Sequence, residues 1–277
     1  MYYFYEGRTI RGIGLMGWAL LVLLATAIVV GLTTALLGLA YPALVENPAN
    51  LFGPLFGVLA ALCLTFVAEL GAAITFLAGF YQLHAGRHEY GLDQSRSVER
   101  ALIFLIIFLV LSAISIAYSS VGGLVLGITY SSGFATVAGG LVLNPVAALF
   151  AGMTLEHSVR SVAAPATQSR LRTALVLGIV GAAVGPALTL LATAGGALTV
   201  NAVSTGIIAA ALGGQGISAI SLLLFWLAYQ EARRALEAGT PPPVLPRIEQ
   251  FYPWLYRPWV PYPYQPPSPP PQPPSNR

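Results

Sequence analysis

The chain has 277 residues, of which 56% are hydrophobic and only 8% charged, with a formal net charge of +3. Apolar runs longer than about 18 residues recur along it, which excludes a soluble globular domain and selects an all-α, polytopic membrane protein. An outer-membrane barrel is excluded as well: its strands would read as alternating segments of about 10 residues, whereas these runs are continuous.

The N-terminal MYYFYEGRTIRG leads into a first apolar span over roughly residues 12 to 38. That run is longer than the core of a signal peptide, about 7 to 15 residues, and no small-x-small cleavage site follows, so it reads as a retained helix. The second span, roughly 55 to 83, contains LCLTFVAELGAAITF, in which Glu69 is the single carboxylate. Glu69 falls near the middle of the run, where an acidic side chain costs about 2.5 to 3.5 kcal/mol. It is therefore expected to face the bundle. Thr65, Ala72 and Ala73, at i−4, i+3 and i+4, supply a small, partly polar stripe for that face. Cys63, the only cysteine, builds neither an intramolecular disulfide nor a cysteine metal site, and is expected to be a small buried hydrophobe.

The third span, roughly 101 to 129, follows the arginine-bearing loop HEYGLDQSRSVERA and carries Ser112, Ser115 and Tyr118 as hydrogen-bonding groups. The fourth, roughly 132 to 154, places Asn144 before Pro145; the fifth, roughly 173 to 199, holds Gly181, Gly185 and Pro186; the sixth, roughly 204 to 229, carries Gln215. A proline inside a helix frees a carbonyl and favours a kink. Small residues at helical spacing, such as Gly181 with Gly185, let backbones approach where no hydrophobic effect drives association.

Glu69, Asn144 and Gln215 thus give each even-numbered span one polar side chain near mid-depth, and they form the candidate intramembrane cluster. One reading makes them a proton or solute site with Glu69 as the titrating group. The other makes them structural, a protonated Glu69 donating to a neighbour such as Asn144 and locking the bundle. His84, His88 and His157 sit at the ends of spans 2 and 4, and with Glu89 and Glu156 they are a weak alternative as ligands of a divalent metal; solvated contacts with headgroups account for them more simply. No H-E-x-x-H, nucleophile elbow, Walker loop or paired-aspartate pattern occurs. Neither a catalytic residue nor a cofactor is expected.

All thirteen basic residues are arginine, and every one falls before span 1, between spans 2 and 3, between spans 4 and 5, or after span 6. The opposite loops carry a single charge, Glu46. By the positive-inside rule both termini are cytoplasmic in a multi-pass cell-membrane protein. The basic balance points to anionic lipid headgroups rather than to nucleic acid, each arginine near the headgroups contributing about 1 kcal/mol.

Residues 100–160 are self-similar to residues 172–234: Gly122-Gly123 falls on Gly195-Gly196, Ser132-Gly133 on Thr205-Gly206, Gly139-Gly140 on Gly213-Gly214 and Arg160 on Arg234. AGFYQLHAGR (78–87) and AGMTLEHSVR (151–160) share an A-G-x4-H-x2-R frame. Three tandem helix hairpins, each entering and leaving on the cytoplasmic face, are the expected organisation of residues 1–238.

Composition changes at Gly239. Residues 239–277 hold fifteen of the twenty-one prolines and are expected to be extended or disordered rather than packed. Within them FYPWLYRPWVPYPY offers Trp254, Tyr256, Arg257, Trp259, Tyr262 and Tyr264 either as an interfacial anchor or, with P-x-x-P spacings such as Pro258 to Pro261, as a segment that docks on a protein partner.

EGRTIRGIGL, HEYGLDQSRSVERA, the glycine-rich hairpins and a tail ending PPSPPPQPPSNR together resemble a family of archaeal multipass membrane proteins of unknown function, many with proline-rich tails. The resemblance implies a membrane bundle with such a tail and brings no activity or site residues. The reading is a non-enzymatic integral membrane protein with a cytoplasmic interaction or anchoring tail; the alternative is a small transporter or channel built around Glu69, Asn144 and Gln215.

Overall fold

The computed structural model describes residues 7–46, 52–126, 131–194 and 200–239. These residues form α1 (Arg8–Glu46), α2 (Phe52–Ala85), α3 (Leu92–Leu126), α4 (Ser131–Val159), α5 (Pro165–Ala194), α6 (Val200–Ala210), a π-helical turn (Ala211–Gln215) and α7 (Gly216–Glu237). The expected all-helical class is observed. Five stretches are long and apolar enough to cross a membrane: Arg8–Ala43, Phe56–Ala85, Leu92–Ser115, Pro165–Leu188, and Ser204–Glu237, which runs from α6 through the π turn into α7.

The outside of the bundle is apolar. Trp18, Leu36, Leu39, Phe56, Leu64, Phe66, Val67 and Ile74 are all exposed, far more contiguous apolar surface than a water-soluble monomer carries. Hydrocarbon is the solvent that suits such a surface, so the chain is a membrane protein. Cys63 belongs to this exposed surface rather than to the buried interior expected for it.

The helices reach further than the hydropathy runs. α1 continues through Pro42, α3 begins at Leu92 with Arg96 and Arg100 already in its first turns, and α5 begins at Pro165, before Arg170 and Arg172. A drop in hydropathy marks where a side chain meets the headgroups, not where backbone hydrogen bonding stops; arginine extends along a helix end and keeps its guanidinium in water. Proline at the first position of α5 costs nothing, because that N–H has no intrahelical partner.

All the arginine-bearing ends gather at one end of the bundle. Gly14 and Gly17 of α1 lie against Arg233 and Gln230 of α7. Ser97 of α3 donates to the His157 carbonyl of α4 at 2.6 Å, and Thr167 of α5 donates to Glu231 of α7 at 2.9 Å. The main buried cluster lies here, with Ile13, Met16 and Leu20 of α1, Phe80 and Leu83 of α2, Val98 and Leu105 of α3, Leu155 and Val159 of α4, Leu171 of α5, and Phe225 and Tyr229 of α7.

At two crossings glycine brings helix backbones together. A Cβ on Gly12 would stand 2.7 Å from the Gly79 carbonyl oxygen and from the Leu83 nitrogen, so α1 and α2 touch backbone to backbone. A Cβ on Gly181 would stand 2.6 Å from Ser218 Oγ, and one on Gly214 would stand 2.8 Å from Gly185 Cα. The close approach predicted for Gly181 and Gly185 is therefore observed. Polar bonds tie the helices as well: Ser204 to the Gly38 carbonyl at 2.7 Å and Ser221 to the Ala174 carbonyl at 2.7 Å. The helices form a ring in which α1 packs on α2, α6 and α7, α5 on α7 and α4, and α4 on α3; α2 and α3 are in only slight contact.

Candidate functional site

Three places in this fold gather chemistry: the mid-depth polar residues, an apolar cleft at the α2/α3 seam, and the arginine-bearing end.

Glu69, Asn144 and Gln215 are all exposed on the outer surface, on α2, α4 and the π turn respectively. No hydrogen bond among the described residues joins any two of them. Gln215 packs its Cβ 3.3 Å from the position of a Cβ on Gly31 of α1, in a shallow surface groove shared with Ala27, Ile28 and Ala211. Asn144 lies over Gly140 of its own helix. The stripe expected around Glu69 is met in part: Thr65 and Ala72 are buried, whereas Ala73 is exposed like Glu69 itself, so the carboxylate stands at the edge of the buried stripe.

The edge leads to the seam. An apolar cleft of about 300 Å³ is lined there by Ala73, Phe76 and Leu77 of α2, by Leu105 and Phe108 of α3, and by Leu20 and Thr154 among the residues behind them. Ala73, Phe76 and Leu77 follow Glu69 at i+4, i+7 and i+8, so the carboxylate shares the cleft's helical stripe, one turn further from the arginine end. Ser112 of α3 follows Phe108 by one turn in the opposite chain direction and is half-buried.

At the arginine end the turn between α2 and α3 is tied to the start of α1. The backbone N–H groups of Arg8 and Thr9 donate to the two Glu89 carboxylate oxygens at 3.0 and 2.9 Å. Thr9 Oγ1 donates to the Gly86 carbonyl at 3.0 Å and accepts from Gln94 Nε2 at 3.1 Å, while Gln94 Oε1 accepts from the Tyr90 N–H at 2.9 Å. Gly91, at φ 96°, makes the left-handed turn into α3. Glu89 is thus an N-cap delivered from another element. It satisfies otherwise unpartnered donors of the first turn and places negative charge at the positive end of the helix dipole.

His84 and His88 share the surroundings of Arg87 and Glu99, and His157 is held apart from them. Arg87 donates to His84 Nε2 at 3.1 Å and lies 3.7 Å from Glu99. His157 donates from Nδ1 to the Met153 carbonyl at 3.0 Å and meets the Phe104 ring edge to face at 5.1 Å. Among the described residues no three His, Cys, Asp or Glu side chains are grouped to hold a metal ion, and His84, His88 and His157 do not converge. Burial, and then the Arg87 charge, lower the pKa of His88 below its ordinary 6.5, with Glu99 opposing.

Several contacts were not visible in the sequence. Glu156 is nearly buried, with Arg160 at 3.8 Å and Arg172 at 3.9 Å; Glu231 pairs with Arg170; Tyr229 is fully buried, bonded to Ser158 and to the Leu155 carbonyl. Apart from the i,i+4 pair Glu156–Arg160, each joins residues more than ten positions apart or rests on burial, so no local pattern announces it. Arg96 and Arg100, expected in the loop before the third span, are instead i,i+4 on one face of α3, beside Arg160, Ser97 and His157, around a polar cleft of about 400 Å³. Trp254, Tyr256, Arg257, Trp259, Tyr262 and Tyr264 lie outside the described residues. Among known proteins, no family model, curated protein or solved structure matches this chain.

Proposed function

We propose that the chain is a non-enzymatic, multi-pass protein of the cell membrane whose arginine-bearing face lies in the cytoplasmic headgroup layer, and whose proline-rich tail works from that face as an interfacial anchor or docking segment. The observation that carries this reading is the gathering of every described arginine-bearing helix end on one side, with α7 ending there at Glu237 and the chain turning at Gly239, φ 76°, ahead of the proline run. Both termini are then cytoplasmic. α4, with 29 residues, is about 43 Å long at 1.5 Å per residue and serves as the sixth span. Pairing of α1 with α2, α3 with α4, and α5 with α6 and α7 supports three tandem hairpins. The likeness to archaeal multipass proteins with proline-rich tails is part of the same proposal.

Deleting residues 240–277 tests the tail. Pull-downs from native membranes should lose partners that the full chain captures, and partitioning of the aromatic segment into vesicles should fall. If the truncated chain recovers the same partners and the isolated segment ignores vesicles, the tail has neither role.

The expected cluster of Glu69, Asn144 and Gln215 is not assembled, because the three stand exposed on separate elements; a second reading, a small transporter or channel using Glu69 alone, is favoured by one observation: Glu69 stands on the stripe that lines the open α2/α3 seam. Glu69→Gln keeps shape and hydrogen-bonding capacity but cannot titrate. A proton-coupled role requires that pH-dependent flux in reconstituted vesicles disappear in this variant; unchanged flux ends that role.

A further inference from the structure

We infer that the cleft formed by Arg96, Arg100 and Arg160 is a binding site for the phosphodiester headgroup of an anionic glycerophospholipid. The inference rests on the proposed placement of the arginine face in the headgroup layer and deepens it from a diffuse attraction to a defined site.

The cleft, about 400 Å³, is walled by Arg96 and Arg100 of α3, Arg160 at the end of α4, His157, Ser161 and Gln168, with Asp93 as its one acid. Its frame is fixed by bonds that use other atoms. Ser97 bonds the His157 carbonyl at 2.6 Å, and Gln168 Nε2 donates to the Arg160 and Ala163 carbonyls at 3.0 and 3.1 Å, clamping the α4–α5 turn. The arginines are unequal in their partners. Arg87, Arg160, Arg170, Arg172 and Arg233 each have a carboxylate within 4.0 Å. Arg96 and Arg100, like Arg11 and Arg234, have none among the described residues and are exposed, but only Arg96 and Arg100 share this cleft. Two neighbouring guanidinium groups without a counter-ion, and a third shared with Glu156, leave net positive charge in one concavity. The planar fork of arginine bonds two phosphate oxygens at once.

The neighbouring surface chooses between a lipid and a free anion. Arg96, Arg100, Ile103 and Ile107 follow at i, i+4, i+7 and i+11, one stripe of α3. Ile103 is 57% exposed, and Phe104 beside it packs on Phe150 of α4 at 6.1 Å. Charge therefore gives way within one turn to exposed aliphatic surface along the direction of the lipid hydrocarbon chains. A ligand with an anionic head and an apolar body uses both parts; inorganic phosphate uses only the first.

The test takes the full chain purified in detergent and follows retained lipid by native mass spectrometry with short-chain phosphatidylglycerol, the matching phosphatidylcholine, or sodium phosphate. One phosphatidylglycerol should be held in preference to phosphatidylcholine and should resist excess phosphate. R96Q/R100Q removes two charges, each worth about a factor of five at the surface, and should weaken retention roughly 30-fold. R96K/R100K keeps the charge without the fork and should fall between, while R233Q should match wild type. Equal retention of both lipids, unchanged retention by R96Q/R100Q, or displacement by phosphate overturns the inference. A fluorophore on Ala164→Cys, in a Cys63→Ala background, separates the two levels of the argument when vesicles carry a headgroup quencher. Quenching without phosphatidylglycerol preference removes the site alone; absence of quenching removes the placement of the face, and the lipid with it.

Discussion

Removing the Glu89 carboxylate is the sharpest perturbation of the arginine end. Its two oxygens accept from the Arg8 and Thr9 N–H groups at 3.0 and 2.9 Å, and no residue of α1 itself takes that role among the described contacts. Loss of an N-cap costs about 0.5 to 2 kcal/mol, and loss of the charge at the helix N-terminus a further 0.3 to 1, roughly. Glu89 is half-buried, so water recovers part of the bonding and the upper limit does not apply. Glu89→Ala is therefore expected to cost about 2 kcal/mol, and Glu89→Gln, which keeps one acceptor oxygen but no charge, about 1 kcal/mol. Glu99→Gln is the control: its carboxylate lies 3.7 Å from Arg87 and is 55% exposed, so the change should stay within about 0.5 kcal/mol. Reversible unfolding in mixed micelles, titrated with a denaturing detergent and followed by tryptophan fluorescence, measures all three. If Glu89→Ala unfolds with wild-type stability, or Glu99→Gln costs as much, Glu89 is not the cap that joins α1 to the α2–α3 turn.

Other expectations use the same assay. Gly12→Ala forces a methyl into the Gly79 carbonyl and should destabilise by about 1 to 3 kcal/mol, whereas Gly71→Ala, with nothing within 4 Å, should be neutral or slightly stabilising through helix propensity; equal effects would refute the backbone contact. Tyr229→Phe removes its bonds to Ser158 and to the Leu155 carbonyl but frees the Ser158 hydroxyl to donate to that carbonyl at 2.9 Å, so about 1 kcal/mol is expected, well short of the 3 to 5 kcal/mol, roughly, expected for Tyr229→Ala. His88 has a folded-state pKa below its ordinary 6.5, so the unfolded chain takes up the proton first as pH falls. Its stabilising contribution is whole above that ordinary value and is lost as pH drops through it towards the folded value. His88→Gln should flatten that acid-side loss; an unchanged pH profile would assign it to other groups.

The membrane class was legible because bilayer thickness acts on composition, and a run such as residues 12–38 satisfies it without tertiary information. Glycine packing was half legible. Gly181 and Gly185 declared a close helix contact by spacing alone, but Gly12 and Gly79, far apart in sequence, could not be paired. The mid-depth residues were not legible. Thr65 and Ala72 are buried as the stripe around Glu69 predicts, yet Glu69 itself is exposed, because α2 and α3 scarcely touch and the stripe borders a seam. Helical periodicity fixes which residues share a face; only packing decides whether that face has a neighbour. Helix ends were misplaced for a related reason. Arg96 and Arg100 read as loop residues in sequence but lie in the first turns of α3, because charge marks the end of the hydrocarbon and not the end of the helix.

The central claim, one arginine-bearing face shared by both termini on the cytoplasmic side, is tested most directly by accessibility. In a Cys63→Ala background, single cysteines at Glu46, Ala164 and Ala238 would be probed with a membrane-impermeant maleimide in sealed vesicles of known orientation. The account predicts that positions 164 and 238 label only from the cytoplasmic side and position 46 only from the other. Labelling of 164 and 238 from opposite sides, or of 46 together with either, would contradict it.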